Sequence, residues 1–389
     1  MTASRFLPTH RARGSAVSLA LGVAIVLAGC GSSNSHSTTT SKSASTGFTS
    51  SVFASGIPIT ISTPSGKTSI NQPDDITELG GHIFVGFQNN VGPQGEPTPT
   101  GTQGTGNLDS TVVEFSSSGS PVGTWNLPGH VDGVTADTAH NRVIATTNED
   151  ANPHLYVITP GSSQAVTYHV PALPSNGGFD AITFWHGMML ISGSAPGTTG
   201  KAPPQASYPA VYAVTLNSAT HTASVRGLFG DEASASRANS GQTGTTPLAL
   251  VDPDSNFVVP TYASRFAGQF MLISQGDYED IFVGDSTAKQ LSVMKLSQSV
   301  DDTQWASGPS GTLYVTDGSA DLIYKITGPF TKGEEIVGVT PCDAGNAPAA
   351  CPATGFPNNY LGQVNQSTGA VSKFALTTPI QPAGLLFVP

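Results

Sequence analysis

Short runs rich in Val, Ile, Leu and Phe recur along this chain, two at a time, around tight Gly-, Asn- or Asp-containing turns. The copies read QPDDITELGGHIFVGF (72–87), HVDGVTADTAHNRVIATT (130–147), GFDAITFWHGMMLIS (178–192), PLALVDPDSNFVVPTY (247–262), DDTQWASGPSGTLYVTD (301–317) and, abbreviated, QPAGLLFVP (381–389). Runs of this kind are β-strands, and the turns make them hairpins. A second hairpin follows most copies, as in STVVEFSSSGSPVGTWNL (110–127), HLYVITPGSSQAVTYHV (154–170), AVYAVTLNSATHTASVRGL (210–228) and NYLGQVNQSTGAVSKFAL (359–376). The unit is therefore four antiparallel strands, A to D, and four-stranded units every ~40–60 residues mark a β-propeller.

Six A-strand starts give six blades. The segments 276–296 and 328–358 leave room for a seventh, and a non-closing sandwich or solenoid is the competing architecture. The last copy stops after strands A and B, while SSVFASGIPITIST (50–63) reads as a lone C/D pair. The two chain ends then complete one blade together, which hides its edge strands. Helical periodicity is absent beyond the first 29 residues.

Those first residues follow a different grammar. Arg5, Arg11 and Arg13 precede an apolar run from Ser15 to Ala28, too short for an ordinary membrane span, which ends in Leu27-Ala28-Gly29-Cys30. The order of basic, apolar and L-A-G-C parts resembles the leader and lipobox of bacterial lipoproteins. That resemblance implies cleavage before Cys30, a lipid (palmitate among its acyl chains) on Cys30, and a place on the outer side of a cell membrane. A plain secretory leader is the alternative. Residues 30–49 are Ser/Thr-rich with little apolar content and read as a tether. Residues 50–389 are the propeller domain.

Composition limits the partners. The formal charge is −11, and loss of the three leader arginines makes it −14. This excludes nucleic acid and argues against a direct electrostatic hold on anionic lipid. Only 11% of residues are charged, with 44 Gly and 29 Pro, the make-up of many turns and few exposed helices. Cys342 and Cys351 flank a Pro/Gly-rich loop; in an exported protein they are expected to form a disulfide, with a metal pair as the weaker reading.

In a propeller the A–B and C–D turns open on one face and the B–C and D–A connections on the other. The first set is short here. The second includes 88–109, 148–153, 193–209 and 230–245. Long loops on a rigid scaffold are where binding and catalysis concentrate. Asp75, Asp132, Asp180 and Asp302 begin A strands near the channel mouth on that face, with Glu149, His130, Asn148 and Asp150 close by in topology. Converging carboxylates suit a hard cation such as Ca²⁺. The competing role is local: Asp before a strand accepts backbone N–H bonds and fixes the turn between blades.

Other motifs carry no chemistry. Ser286-Thr287-Ala288-Lys289 matches S-x-x-K without the companion elements. Asp252-Pro253-Asp254-Ser255-Asn256 opens like an EF-hand loop but lacks its glycine and closing glutamate, and reads as a tight turn. Trp125, Trp185 and Trp305 are expected in packing rather than as a cofactor platform.

By blade grammar, residues 50–389 resemble the NHL, SMP-30/lactonase and YncE-like propeller group. The grammar carries the fold and little of the chemistry. Two functions remain open. One is a non-catalytic module that binds an envelope protein or glycan through the insertion-bearing face. The other, implied by the SMP-30 likeness, is a metal-dependent hydrolase with Asp132, Asp180 and Glu149 at the cation, although the family's early glutamate has no clear counterpart. A quinone-dependent dehydrogenase is disfavoured by the low Arg/Lys content.

Overall fold

The computed structural model describes residues 47–98, 105–174, 176–194, 208–341 and 359–389. Cys30, Cys342 and Cys351 lie outside them, so the lipidation and disulfide expectations concern residues not described. The expected leader and most of the expected tether lie outside them as well.

The chain opens with β1 (Thr49–Ser55) and a small hairpin, β2 (Thr60–Thr63) and β3 (Gly66–Ser69). Blade one follows as β4 (Pro73–Leu79), β5 (His82–Phe87), β6 (Asp109–Phe115) and β7 (Pro121–Pro128). Blade two is β8 (Val131–Asp137), β9 (Arg142–Thr147), β10 (His154–Ile158) and β11 (Val166–Tyr168). Blade three is β12 (Ile182–Trp185), β13 (Met188–Ser192), β14 (Pro209–Asn217) and β15 (Thr222–Gly230). A hairpin of β16 (Ser234–Arg237) and β17 (Thr245–Pro247) then precedes blade four: β18 (Pro253–Val258), β19 (Phe270–Ser274), β20 (Glu279–Val283) and β21 (Leu291–Lys295). That hairpin adds to the rim of blade four, with β16 parallel to β21.

The last two blades are interleaved. The chain lays down β22 (Val300–Trp305), then β23 (Thr312–Asp317) and β24 (Leu322–Thr327), then β25 (Glu335–Val339), β26 (Tyr360–Asn365) and β27 (Ala370–Lys373), and ends with β28 (Leu385–Val388). Blade five is β22-β25-β26-β27, and blade six is β28-β23-β24-β1. The inner strands β4, β8, β12, β18, β22 and β28 neighbour one another in turn, and β28 meets β4. The architecture is a six-bladed β-propeller, closed by both chain ends in one blade.

Four expectations change in detail. The 301–317 hairpin does not form: β22 pairs with β25, and β23 pairs with β28. The link between them contains Pro309, which cannot donate to a ladder, and Gly311 at φ +149°. Phe387 of β28 lies 2.5 Å from where a Gly311 Cβ would stand, so the C-terminal strand occupies the place of a local partner. The C-terminal copy therefore supplies strand A alone, and β1 supplies only strand D. In 247–262, Pro253 starts β18 and the D-P-D-S-N stretch is the strand's opening rather than a turn; a first-residue proline is tolerated there. Segments 276–296 and 335–339 belong to blades four and five, which leaves the count at six.

Six apolar layers hold the ring, one between each pair of neighbouring blades. Strand period two sends alternate residues to opposite layers. In β5, Ile83, Val85 and Phe87 pack toward blade six while Phe84 packs toward blade two. Middle strands are thus buried on both sides and read as unbroken apolar runs. The tryptophans bridge blades: Trp125 Nε1 donates to Ser162 O at 3.0 Å and Trp185 Nε1 to Gly268 O at 2.8 Å. Trp305 is buried between blades four and five.

Candidate functional site

Every inner strand begins with an equivalent pair of residues: Asp74-Asp75, Asp132-Gly133, Asp180-Ala181, Asp254-Ser255, Asp301-Asp302 and Ala383-Gly384. Repetition around a ring brings equivalent positions to one place. These pairs, apart from Gly133, line a central cavity of about 300 Å³ together with Gln88, His130, Glu149 and Gln275. Five blades offer an aspartate at the first position, and blade six offers Ala383. Eight carboxylates line the cavity without a lysine or arginine among its lining residues. Burial is the largest cause that pushes Asp74 and Asp180 up to about 7 and Asp132, Asp254 and Glu149 well above the ordinary carboxylate range; for all of these but Asp74, neighbouring carboxylates add to the rise.

The five acids singled out from sequence all reach this cavity, but their bonding divides them. Asp75 accepts from its neighbour Ile76 N at 2.7 Å and from Val134 N of blade two at 2.5 Å. Asp302 repeats the arrangement with Thr303 N and with Leu385 N of blade six, both at 2.6 Å. These two carboxylates fasten one blade to the next. Between blades two and three a threonine does this work: Thr146 Oγ1 donates to Asp180 O at 2.7 Å and accepts from Gly133 N at 2.9 Å. Asp180 accepts from Ala181 N at 2.6 Å, and its carboxyl neighbours that of Asp254.

His130, Asp132 and Glu149 form a different group. One ligand atom from each lies within 4.8 Å of the others, the one such trio among the described residues. His130 Nε2 stands 3.8 Å from Asp132 Oδ2 and 3.9 Å from Glu149 Oε1. On its other side Nδ1 lies 2.5 Å from Val91 O. A carbonyl only accepts, so this contact puts the proton on Nδ1 and leaves the Nε2 lone pair facing the carboxylates. Burial lowers the His130 pKa, which favours the neutral ring. Asp132 Oδ2 is buried with no hydrogen-bond partner.

Backbone fit fixes the trio. Gly129 sits at φ +106°, where a Cβ would come 2.4 Å from Asn148 Oδ1, the atom that accepts from His130 N. A Cβ on Gly178 would meet Asn148 O at 1.9 Å and Glu149 O at 2.2 Å. The 88–98 connection supplies Val91 O and, through Pro93 O, holds Asp150 N at 3.1 Å. Two carboxylates and one imidazole can hold a divalent cation and leave positions open. Ca²⁺ takes oxygen ligands and Mn²⁺ suits the two carboxylates, whereas the imidazole suits an ion of the Zn²⁺ kind better.

Asp74, Asp254 and Asp301 escape sequence reading. The signal was the register: each fills the first position of its strand-opening pair. In blade four D-P-D-S-N imitates a turn, and in D-D pairs the second acid draws the eye.

No family model and no curated protein matches the sequence. Solved structures are similar only distantly. Virginiamycin B lyase from Staphylococcus aureus is 13% identical over 88% of this chain and 82% of that chain, with TM-score 0.39. The periplasmic gluconolactonase PpgL of Pseudomonas aeruginosa is 10% identical over 85% and 98%, with TM-score 0.41. A chain of a nidogen/laminin complex is 8% identical over 84% and 90%, with TM-score 0.46.

Proposed function

We propose that this chain is an extracytoplasmic, lipid-anchored propeller that hydrolyses a small neutral ester or lactone with the help of a divalent cation at its channel mouth. The observation that carries the reading is the trio of His130, Asp132 and Glu149, with an unpartnered Asp132 oxygen turned toward a neutral imidazole. A buried carboxylate oxygen without a partner is costly, and a cation removes that cost. A bound divalent ion supplies Lewis-acid polarisation of a carbonyl or of water. His130 is oriented for the site by Val91 O. Asp180, at about 7, takes up or releases a proton near neutral pH. The lining offers eight carboxyl groups and no lysine or arginine to pair with an anionic substrate, which favours neutral or cationic ones. The L-A-G-C leader supports anchoring through Cys30.

A second reading, a binding module for an envelope protein or glycan, draws on the 88–98 connection, which packs beside the mouth on the loop-bearing face.

Thermal unfolding of metal-stripped protein with Mn²⁺, Zn²⁺ or Ca²⁺ tests the site. A cation at 100 times its Kd stabilises by about 2.7 kcal/mol, a shift of a few degrees. We expect that shift in the wild type and its loss in Asp132→Asn and Glu149→Gln. No shift with any of the three ions removes the metal from the proposal. A shift without turnover of an ester and lactone panel moves the assignment to the binding module.

A further inference from the structure

The outer rim between blades two and three holds a second concentration of imidazoles, away from the channel. In the β10–β11 ladder Leu155 faces Tyr168 and Tyr156 faces Thr167. Continued by one residue, that register sets His154 opposite His169. Residues directly opposed across antiparallel strands point to the same side, with Cβ atoms about 4.5–5.5 Å apart. The far edge of His169 is fixed as well: its N–H donates to His221 O and its carbonyl accepts from Ala223 N, both at 2.8 Å, which ties it to blade three.

These residues line one cavity of about 430 Å³, with His221 beside them against the Tyr168 ring at 5.6 Å. No carboxylate, lysine or arginine appears in its lining. His169 is exposed and His154 half-buried, so an ion from solvent reaches the pair. From the geometry we infer that His154 and His169 form a two-imidazole chelate at the blade rim for a borderline divalent metal of the Cu²⁺, Ni²⁺ or Zn²⁺ class. Imidazole donors without carboxylates favour those ions over Ca²⁺ or Mg²⁺. Partial burial, and then the neighbouring His169, lower the His154 pKa, so its ring is more readily neutral, as a ligand must be. Asn148 stands between this site and the channel trio: its Nδ2 lies 3.4 Å from His154 Nδ1, and its Oδ1 accepts from His130 N.

Cu²⁺ is the probe, titrated into the full chain carrying Glu149→Gln to weaken the channel site, with circular dichroism to confirm folding. We expect nitrogen hyperfine structure in the electron paramagnetic resonance spectrum. His154→Gln and His169→Gln should each weaken Cu²⁺ binding at least tenfold, while His186→Gln, at an exposed histidine elsewhere, leaves it unchanged. Unchanged affinity in both rim variants, an equal loss in His186→Gln, or a spectrum without nitrogen coordination would falsify the chelate.

Discussion

Asp75 and Asp132 look alike in the sequence, and their surroundings give them opposite roles. Asp75 holds two backbone N–H groups, one of them on the next blade, whereas Asp132 Oδ2 holds nothing. Replacing Asp75 or Asp302 by alanine strands two buried donors in each case, at about 1–3 kcal/mol per donor. Chemical denaturation should therefore show a clear loss of stability in both variants. Asp132→Asn should raise the stability of the metal-free protein at pH 8 instead, because it removes a buried carboxyl whose ionisation is opposed by burial and by its acidic neighbours; a loss like that of Asp75→Ala would contradict the division. The sequence shows an acid at strand starts because the repeat sets the register. It does not show which acids are tied down, since that depends on where the neighbouring blade presents its N–H groups. The role of His130 was equally hidden: it depends on Val91 O, which comes from a connection 39 residues earlier.

Strands were legible where local pattern decides them. The A–B hairpins of blades one to three, and the C–D hairpins flanked by turn residues, follow the expected grammar. The failures fall where a distant partner wins. β22 and β23 are neighbours in sequence yet lie in different sheets, because β28 takes the edge of β23 that a local hairpin would have used. That strand brings Leu385 and Phe387 into the layer between blades five and six. Each such side chain contributes about 1.5–3 kcal/mol on burial, and its removal also bares the inner edge of β23. Truncation after Gly384 should abolish a single cooperative melt. A truncated chain that still melts cooperatively near the wild-type temperature would mean that β28 is dispensable.

At the scale of the whole molecule, the channel sets the response to pH. Asp74 and Asp180 rise from 3.8 to about 7, so the folded state holds protons that the unfolded chain has released. Their stabilisation is complete below pH 3.8 and is lost as pH rises through 7. His130, with its lowered pKa, runs the other way but is one group against several. Metal-free protein should thus melt at a higher temperature at pH 5 than at pH 8, and a divalent cation should narrow the gap; an opposite pH trend would mean that the carboxylates are ionised in the apo protein. The threading of the last two blades has a consequence for ancestry. Repeat proteins gain and lose units by copying or deleting one contiguous stretch of gene. No contiguous stretch encodes blade five or blade six, because each contains strands written inside the other's span. Duplication or deletion of a complete blade is open only at blades one to four, and the junction of five and six is a place where the repeat number has been locked.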